Sequence, residues 1–375
     1  MAAVAVKNHA DPNHRPQFGL INLLKAGAAQ LIVLHHLAFY GPMSDYVQPM
    51  WPALLGWLGD SARIAVQVFL VIGGFLAAKS LSPDGARPLG VMPGLAIGRR
   101  YAKLAPPFIA ATLLAVLANL LAGLAMEHDS ISAPAGIGQL LAHGLLLHGV
   151  LGYESLSAGA WYVAIDFQLY AASVLIVWSA GRLAGARQQA MLLPLLAAAG
   201  MTLSLFYFNL DSSWDNWAPY FFGSYGLGML AWWASDPRRQ SSAVSALVLL
   251  MLVPATLALS MEFRSRIALA LATACVLCLC GRSAIGQHGR TWSAVHALGR
   301  ISYGVFLIHF PVCLLVNAVF VRYAPLEPEW QALGMLCAWT ASLAAGAAFH
   351  RWVEVPLGRA VRFTMAHLVM RPVLQ

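Results

Sequence analysis

Lys25 and His36 interrupt an apolar run over residues 18–40 that is long enough to cross a bilayer as one helix. A charged side chain in hydrocarbon costs about 2.5–3.5 kcal/mol on insertion scales, so a residue of this kind is a candidate for function. At about 100° per residue, the two side chains share one helical stripe and lie roughly 16 Å apart along the axis. A cation and a proton acceptor on one stripe predict chemistry across the membrane, in a shared interior passage.

A carboxylate lies in another apolar run, where Asp166 precedes Tyr170 by four residues and therefore shares its helix face. An ionised carboxylate in hydrocarbon needs a partner, which Lys25, His36 or an arginine could supply. A pair with His36 would orient or charge the imidazole of a general base. A structural ion pair between helices is the alternative.

A basic cluster precedes a third apolar run and consists of Arg99, Arg100 and Lys103. Arginine offers a forked set of donors that matches phosphate oxygens, and lysine adds a mobile point charge. The cluster therefore predicts a site for a phosphorylated donor such as a coenzyme A thioester. Contact with lipid headgroups explains the same pattern equally well.

Two polar residues lie in or beside an apolar run near the carboxyl end of the chain. Tyr303 is placed where this run begins, a position typical of the membrane interface. His309 lies six residues later, where a histidine is either a hydrogen-bonded core residue or part of a site. His35 neighbours His36 but points about 100° away, and it stays the alternative base.

The remaining polar residues of the apolar runs have structural explanations. Glu354 closes the last run three residues after Arg351, and we expect these two to form a local salt bridge. The five cysteines are odd in number and lie in apolar runs, which argues against a disulfide framework. A metal site at Cys275, Cys278 and Cys280 is conceivable, but we interpret them as small packing residues and expect no metal.

The composition is that of a polytopic membrane protein. The 375 residues are 59% hydrophobic and 10% charged, with a mean hydropathy of +0.68, whereas soluble domains are roughly 25% charged. The net charge of +8 is explained by cytoplasmic loops rich in lysine and arginine, so no nucleic-acid partner is expected. The expected fold is an all-α helical bundle, because helices satisfy the backbone within the bilayer.

Hydropathy yields eleven apolar segments, at residues 18–40, 54–81, 104–126, 137–152, 160–180, 189–209, 217–234, 242–260, 264–281, 300–322 and 330–350. With both termini in the cytoplasm, the distribution of charged residues in the loops is consistent with ten of these segments crossing the membrane. The segment 137–152 must then not cross, and it is predicted to be an interfacial or re-entrant helix. The loop with Arg264 and Arg266 is predicted to lie outside, so its positive charge is a mild exception to the expected charge distribution.

The predicted organisation is a single membrane domain with two short cytoplasmic tails. The tails cover residues 1–17 and 355–375, and the membrane domain covers 18–354. The expected location is a bacterial-type cytoplasmic (inner) membrane, crossed several times.

These residues together resemble the membrane-bound acyltransferase 3 family, which acylates hydroxyl groups of cell-surface carbohydrates and some small molecules. The family's first span carries an arginine, ten residues and a histidine, and Lys25 and His36 have the same spacing. Further similar motifs follow in the same order over nearly the whole chain, at Arg99, Arg100, Lys103 and Pro106; at Trp161, Asp166, Leu169 and Tyr170; at Ser302, Tyr303, Phe306 and His309; and at Glu354 and Pro356.

Four positions differ from the family pattern. Asn22, Lys25, Gly73 and Asp166 stand where the family has aspartate, arginine, serine and glutamate. Lysine keeps the positive charge but lacks the planar fork of arginine. These differences mark a divergent member.

The resemblance implies an O-acyltransferase that takes an acyl group from cytoplasmic acyl-CoA, with acetyl-CoA as the favoured donor, and transfers it to a carbohydrate or glycan hydroxyl. His36 is then the general base and Asp166 its partner, while an acyl-histidine intermediate stays open. The implied donor-binding residues are Lys25, Arg99, Arg100 and Lys103. The implied acceptor-binding residues are Trp161, Tyr170, Tyr303 and His309.

Two other classes of function stay open. A transporter or flippase of a lipid-linked or polar substrate would also bury lysine, histidine and aspartate. An inactive structural partner of a polysaccharide synthase would tolerate the four differences. Membrane lipids are expected contacts in every case, and the sequence leaves the oligomeric state open.

Overall fold

The computed structural model describes residues 19–282 and 290–370, which form helices and no strands. The first half contains α1 Gly19–Phe39, α2 Pro42–Val47, α3 Pro52–Asp60, α4 Val66–Leu81, α5 Pro93–Gly123, α6 Ile137–Gly144 and α7 Ala160–Leu183. The second half contains α8 Ala186–Phe206, α9 Ala218–Ala234, α10 Ser241–Met261, α11 Ser265–Cys280, α12 Arg290–Tyr323, α13 Pro328–Phe349 and α14 Val355–Met370. The predicted all-α polytopic bundle is confirmed.

Eight stretches of the described residues are long and apolar enough to cross a membrane: Gly19–Phe39, Ala62–Leu81, Pro93–Gly123, Ala160–Leu183, Gln188–Leu210, Ser241–Met261, Trp292–Tyr323 and Pro328–Phe363. The other two predicted crossings are the helices α9 and α11, of 17 and 16 residues. At 1.5 Å per residue they are slightly short for a full span. The ten predicted crossings thus all correspond to helices.

The segment 137–152 forms a short helix that turns back, as expected for a stretch that does not cross. Its helix α6 has eight residues. The hydroxyl of Tyr101 on α5 donates a hydrogen bond of 2.7 Å to the carbonyl oxygen of Gly144, and His143 stacks on the ring of Phe108. An eight-residue helix is too short to span a bilayer, and these contacts place its end beside α5, a helix long enough to cross.

The helix α9 lies at the centre of the bundle, with almost all of its side chains buried. Glycines let it approach α4 closely: a Cβ on Gly74 would overlap the carbonyl of Tyr225, and one on Gly228 would overlap that of Val71. Such small-residue contacts are typical of helix pairs in membranes. The close approach carries Tyr225 into the polar interior described below.

The two arginines that depart from the charge pattern have internal partners. Arg264 is buried and donates to the carbonyl of Leu205 at 3.0 Å and to Oδ1 of Asn209 at 2.9 Å. Arg266 donates to the carbonyl of Asn209 at 3.0 Å. Arg264 therefore bonds a carbonyl at the end of α8, and Arg266 bonds one three residues beyond it.

Candidate active site

Two buried imidazoles, from α1 and α12, meet inside the bundle. Nδ1 of His36 lies 2.6 Å from Nε2 of His309, and the two side chains are 7% and 0% exposed. The ring centroids are 4.9 Å apart and the planes differ by 6°. A short nitrogen–nitrogen distance with nearly parallel planes indicates two rings joined edge to edge by a hydrogen bond.

The hydrogen bonds of this pair fix the position of its protons when both rings are neutral. Nδ1 of His309 lies 3.1 Å from the carbonyl of Val305, which only accepts, so this nitrogen carries hydrogen. Nε2 of His309 must then accept, and Nδ1 of His36 must donate to it. Nε2 of His36 is left with its lone pair, which is the state that a general base requires.

The neighbouring His35 has a different partner. Its Nδ1 donates to the carbonyl of Leu58 at 2.9 Å, so this ring ties α1 to α3. The ring centroids of His35 and His36 are 4.9 Å apart. His35 is therefore built into helix packing, whereas His36 faces the second imidazole.

Asp166 pairs with Arg100 rather than with His36. A guanidinium nitrogen of Arg100 donates to the buried carboxylate, and the same guanidinium lies over the ring of Tyr170 at 5.1 Å. The expectation that Asp166 orients His36 is wrong, because the arginine of α5 lies within reach of α7 and satisfies the carboxylate. The alternative, an ion pair between helices, describes the observed contact.

The side chains of the predicted basic cluster point in different directions. Lys25 is half-buried and interacts electrostatically with Arg100, Lys103 and Asp166, so α1 and α5 contribute to one cationic region. Lys103 is more exposed than Lys25. Arg99 is exposed and points away from Arg100, since consecutive helical residues differ by about 100°.

The carboxylate of Glu354 also belongs to this region. Its Oε2 lies 2.8 Å from Nδ1 of His350, so the expected salt bridge with Arg351 is wrong. Residues His350–Glu354 form a single π-helical turn, which places His350 and Glu354 in contact. Glu354 interacts electrostatically with Lys25 and Lys103 and reduces the net positive charge there.

Two aromatic residues that the motif analysis did not single out as site residues connect the ion pair to the imidazole pair. The ring of Tyr162 lies 5.2 Å from that of Phe306, which in turn lies 6.1 Å from His309. Tyr162 interacts electrostatically with Asp166 and Arg100. Its position four residues before Asp166 was the available signal, because it places both on one helix face.

The expected acceptor-binding residues are spread around this interior. Tyr170 lies under Arg100, and the hydroxyl of Tyr303 donates to the carbonyl of Leu104 at 3.3 Å. Trp161 packs on Phe221 at 5.5 Å, one residue along α7 from Tyr162. His309 serves His36 rather than an acceptor in this arrangement.

Two positions that differ from the family pattern have specific neighbours. A Cβ on Gly73 would lie 2.9 Å from Cε2 of Tyr225 and 3.1 Å from Oδ1 of Asp166, so the tyrosine ring lies where a serine side chain would begin. Nδ2 of Asn22 donates a hydrogen bond of 2.8 Å to Nδ1 of His296 and ties α1 to α12. Gly73 therefore takes part in close packing, and Asn22 takes part in a hydrogen bond between helices.

Neither of two small clefts in the described residues forms the expected passage from Lys25 to His36. One cleft lies near Val116 and Leu156, and the other lies between Phe108 and Phe306. Both hold about one water molecule, and neither is lined by Lys25 or His36. Within residues 19–282 and 290–370, no group of three or more histidine, cysteine or acidic side chains could hold a metal.

Apolar helices around a buried imidazole pair and a buried ion pair define a polytopic membrane protein with a polar centre at membrane depth. The acyltransferase 3 family model, described as an acyltransferase domain, matches residues 19–349. The chain belongs to the acyltransferase 3 family, a family of membrane acyltransferases.

One curated protein, the regulator of hypoxia-inducible factor 1 of Caenorhabditis elegans, is 28% identical over 133 residues. These residues are 36% of this chain and 25% of the nematode protein, so the chain spans a quarter of that protein's length. No solved structure matches the chain.

Proposed function

We propose that the protein is an O-acyltransferase that moves an acyl group from acyl-CoA to a hydroxyl of a carbohydrate or glycan. The observation that supports this most is the hydrogen-bonded chain from the Val305 carbonyl through His309 to His36, which leaves a lone pair on a buried imidazole. The family match supports the same reaction class.

In the proposed step, Nε2 of His36 takes the proton of the acceptor hydroxyl while the oxygen attacks the thioester carbonyl. The tetrahedral intermediate collapses with cleavage of the C–S bond, which yields the ester and the thiol of coenzyme A after the imidazolium returns the proton. Proton transfer by a placed base contributes about 10²–10⁴-fold to a rate. His309 positions His36 and disperses the charge of the imidazolium.

The cationic region is the proposed site for the phosphate-bearing end of the donor, for which acetyl-CoA is the first candidate. Lys25, Arg100 and Lys103 supply its positive charge, and Nε of Arg100 is buried with no hydrogen-bond partner among the described residues. This nitrogen is an unused donor toward an oxygen atom. Asp166 holds the guanidinium in place, and the exposed Arg99 is placed to contact the nucleotide end or lipid headgroups.

For the acceptor, the aromatic side chains Trp161, Tyr170 and Tyr303 are the proposed contacts, since aromatic faces and hydroxyls suit sugar rings. The proposed orientation has both termini in the cytoplasm of an inner membrane, with the donor bound on the cytoplasmic side. The side chains between the two polar centres must then move to admit the pantetheine arm.

The adjacent histidines allow a matched test in proteoliposomes that contain the full-length protein and acetyl-CoA. His36→Ala should abolish glycan-dependent release of coenzyme A, because the base is removed. His35→Ala keeps the base and should retain most of the rate with lower thermal stability. Equal rates for His36→Ala and the unmodified protein would overturn the proposal, and loss only in His35→Ala would move the base to His35.

Mass analysis of surface glycan separates the enzyme from a transporter or flippase. Deletion of the protein should remove an acyl mass from the glycan while export continues. Loss of export with unchanged acylation of the remaining glycan would favour transport instead. A wild-type protein that releases no coenzyme A in the purified system would favour the inactive structural partner.

A further inference from the structure

An exposed tryptophan stands at the start of the central helix α9. Trp217 directly precedes the helix and is 41% exposed, whereas sixteen of the 17 residues of α9 are buried. The neighbours of α9 are α4, α7, α8, α10 and α11, which surround it. Trp217 therefore lies near the middle of one end of the bundle rather than at its edge.

This position distinguishes Trp217 from tryptophans that contact lipid. Interfacial tryptophans are enriched where the outer surface of a membrane protein meets the headgroups. Trp330, which is 50% exposed, is of this kind, because it lies on α13, where six of 22 residues are buried. Five neighbouring helices separate α9 from the lipid, so the exposed face of Trp217 is explained by contact with the aqueous phase.

Polar side chains accompany the indole of Trp217. Asp215 and Asn216 directly precede it and are exposed. The amide of Trp217 donates a hydrogen bond of 2.9 Å to the carbonyl of Trp214, which fixes the turn. The loop after α6 borders the same turn, since a Cβ on Gly149 would lie 3.0 Å from Oδ1 of Asn216. A carboxylate and an amide are thus held beside an exposed aromatic ring.

Aromatic rings connect this turn to the interior. Phe221 lies one helical turn beyond Trp217 along α9, and its ring lies 5.5 Å from that of Trp161 on α7. The ring of Trp161 meets that of Tyr162 edge-on at 6.2 Å, and Tyr162 lies between the ion pair and the imidazole pair. The exposed turn is therefore at the same end of the bundle as Trp161, a proposed acceptor contact.

We propose that the surface formed by Asp215, Asn216 and Trp217 binds a sugar unit of the carbohydrate acceptor outside the membrane. The inference rests on the proposed function and adds a binding site for a part of the glycan that does not react. The C–H face of a pyranose ring packs on an indole, and sugar hydroxyls bond to carboxylate and amide groups. Trp217 is a binding residue in this scheme and takes no part in proton transfer.

Glycan binding without acetyl-CoA tests this site separately from the reaction. The full-length protein in nanodiscs is titrated with fluorophore-labelled surface glycan from a strain that lacks the protein. Trp217→Ala should raise the dissociation constant about 10-fold, as for the loss of one stacked aromatic ring, and Trp217→Tyr should recover part of the affinity. Asn216→Ala leaves the indole in place and should raise the dissociation constant about 5-fold, as for one lost hydrogen bond.

Trp330→Ala is the matched control, because it removes a similarly exposed tryptophan from the edge of the bundle. It should leave the glycan affinity unchanged. Equal affinities of Trp217→Ala and the unmodified protein would overturn the inference, and so would an equal loss of affinity in Trp330→Ala. The proposed function fails in a different way: an unmodified protein that binds the glycan but releases no coenzyme A from acetyl-CoA would refute the transfer and leave the binding site standing.

Discussion

Asp166 of α7 holds the guanidinium of Arg100 on α5, and His36 of α1 instead bonds His309 on α12. The interior therefore contains two separate polar pairs, each made by two helices. One pair carries opposite charges, and the other is a chain of neutral donors and acceptors. This division shows that Asp166 compensates the charge of Arg100, and it supports the proposed role of His36 in proton transfer.

Removal of the carboxylate should destabilise the bundle. Asp166→Asn leaves the guanidinium of Arg100, whose side chain is 25% exposed, without its counter-charge. The expected loss is about 3 kcal/mol in the free energy of unfolding, typical of a broken buried pair. Asp166→Glu should retain most of the stability, because the longer carboxylate still reaches the arginine.

Thermal unfolding in detergent, with denaturant titration for the free energy, measures this difference. Arg99→Ala is the control, since Arg99 is the exposed neighbour of Arg100 and its loss should change stability by no more than about 0.5 kcal/mol. A stability of Asp166→Asn equal to that of Arg99→Ala would show that the ion pair contributes nothing.

His309 is expected to act through His36. His309→Ala removes the acceptor for Nδ1 of His36 and frees its tautomer, so kcat should fall about 10²-fold. The half-saturating acetyl-CoA concentration should not change, because the cationic region is untouched. His309→Gln offers an oxygen to the same nitrogen and should recover part of kcat.

Steady-state kinetics of coenzyme A release separate this role from simple packing. A packing defect would lower the amount of folded protein and affect His309→Ala and His309→Gln alike. Equal kcat in both variants would therefore rule out a positioning role for His309.

The sequence predicts the helices well because each one is a local pattern. Apolar length identified the long apolar helices, and loop charges set apart the segment 137–152, which contains only an eight-residue helix. The stripe that joins Lys25 to His36 follows from helical geometry alone, and both residues do face the interior.

Contacts between helices could not be predicted in this way. His36 and His309 are 273 positions apart, and nothing in the local pattern of α1 indicates which helix lies opposite. The sequence offered Lys25, His36 or an arginine as the partner of Asp166 and did not rank them. The packing of α5 on α7 selects Arg100. For Glu354, helical spacing offers both Arg351 at three residues and His350 at four, and the structure selects His350.

Gly73 is expected to resist the serine that is usual in the family. In Gly73→Ser the new Cβ would lie 2.9 Å from the ring of Tyr225, so the buried ring must shift. Overpacking of this kind costs about 1–3 kcal/mol. Tyr225→Leu should reduce that cost when both changes are combined, which a double-mutant cycle of unfolding free energies measures.

Gly27→Ser is the matched control, because a Cβ on Gly27 meets no atom within 4 Å. It should be tolerated with a small effect. Additive effects of Gly73→Ser and Tyr225→Leu would mean that the ring does not limit this position.

Asp236, in the loop after α9, gives a pH-dependent test of the stability of the bundle. Hydrogen bonds from the Arg238 side chain hold the pKa of Asp236 well below its ordinary value of 3.8. A carboxyl whose pKa is lower in the folded chain stabilises it fully above about pH 4, and this contribution fades as the pH falls toward the folded-state pKa. The melting temperature of Asp236→Asn should therefore lie below that of the unmodified protein at pH 7, with a smaller gap at pH 3. A gap that is constant with pH would show that Asp236 stabilises through packing and not through its charge.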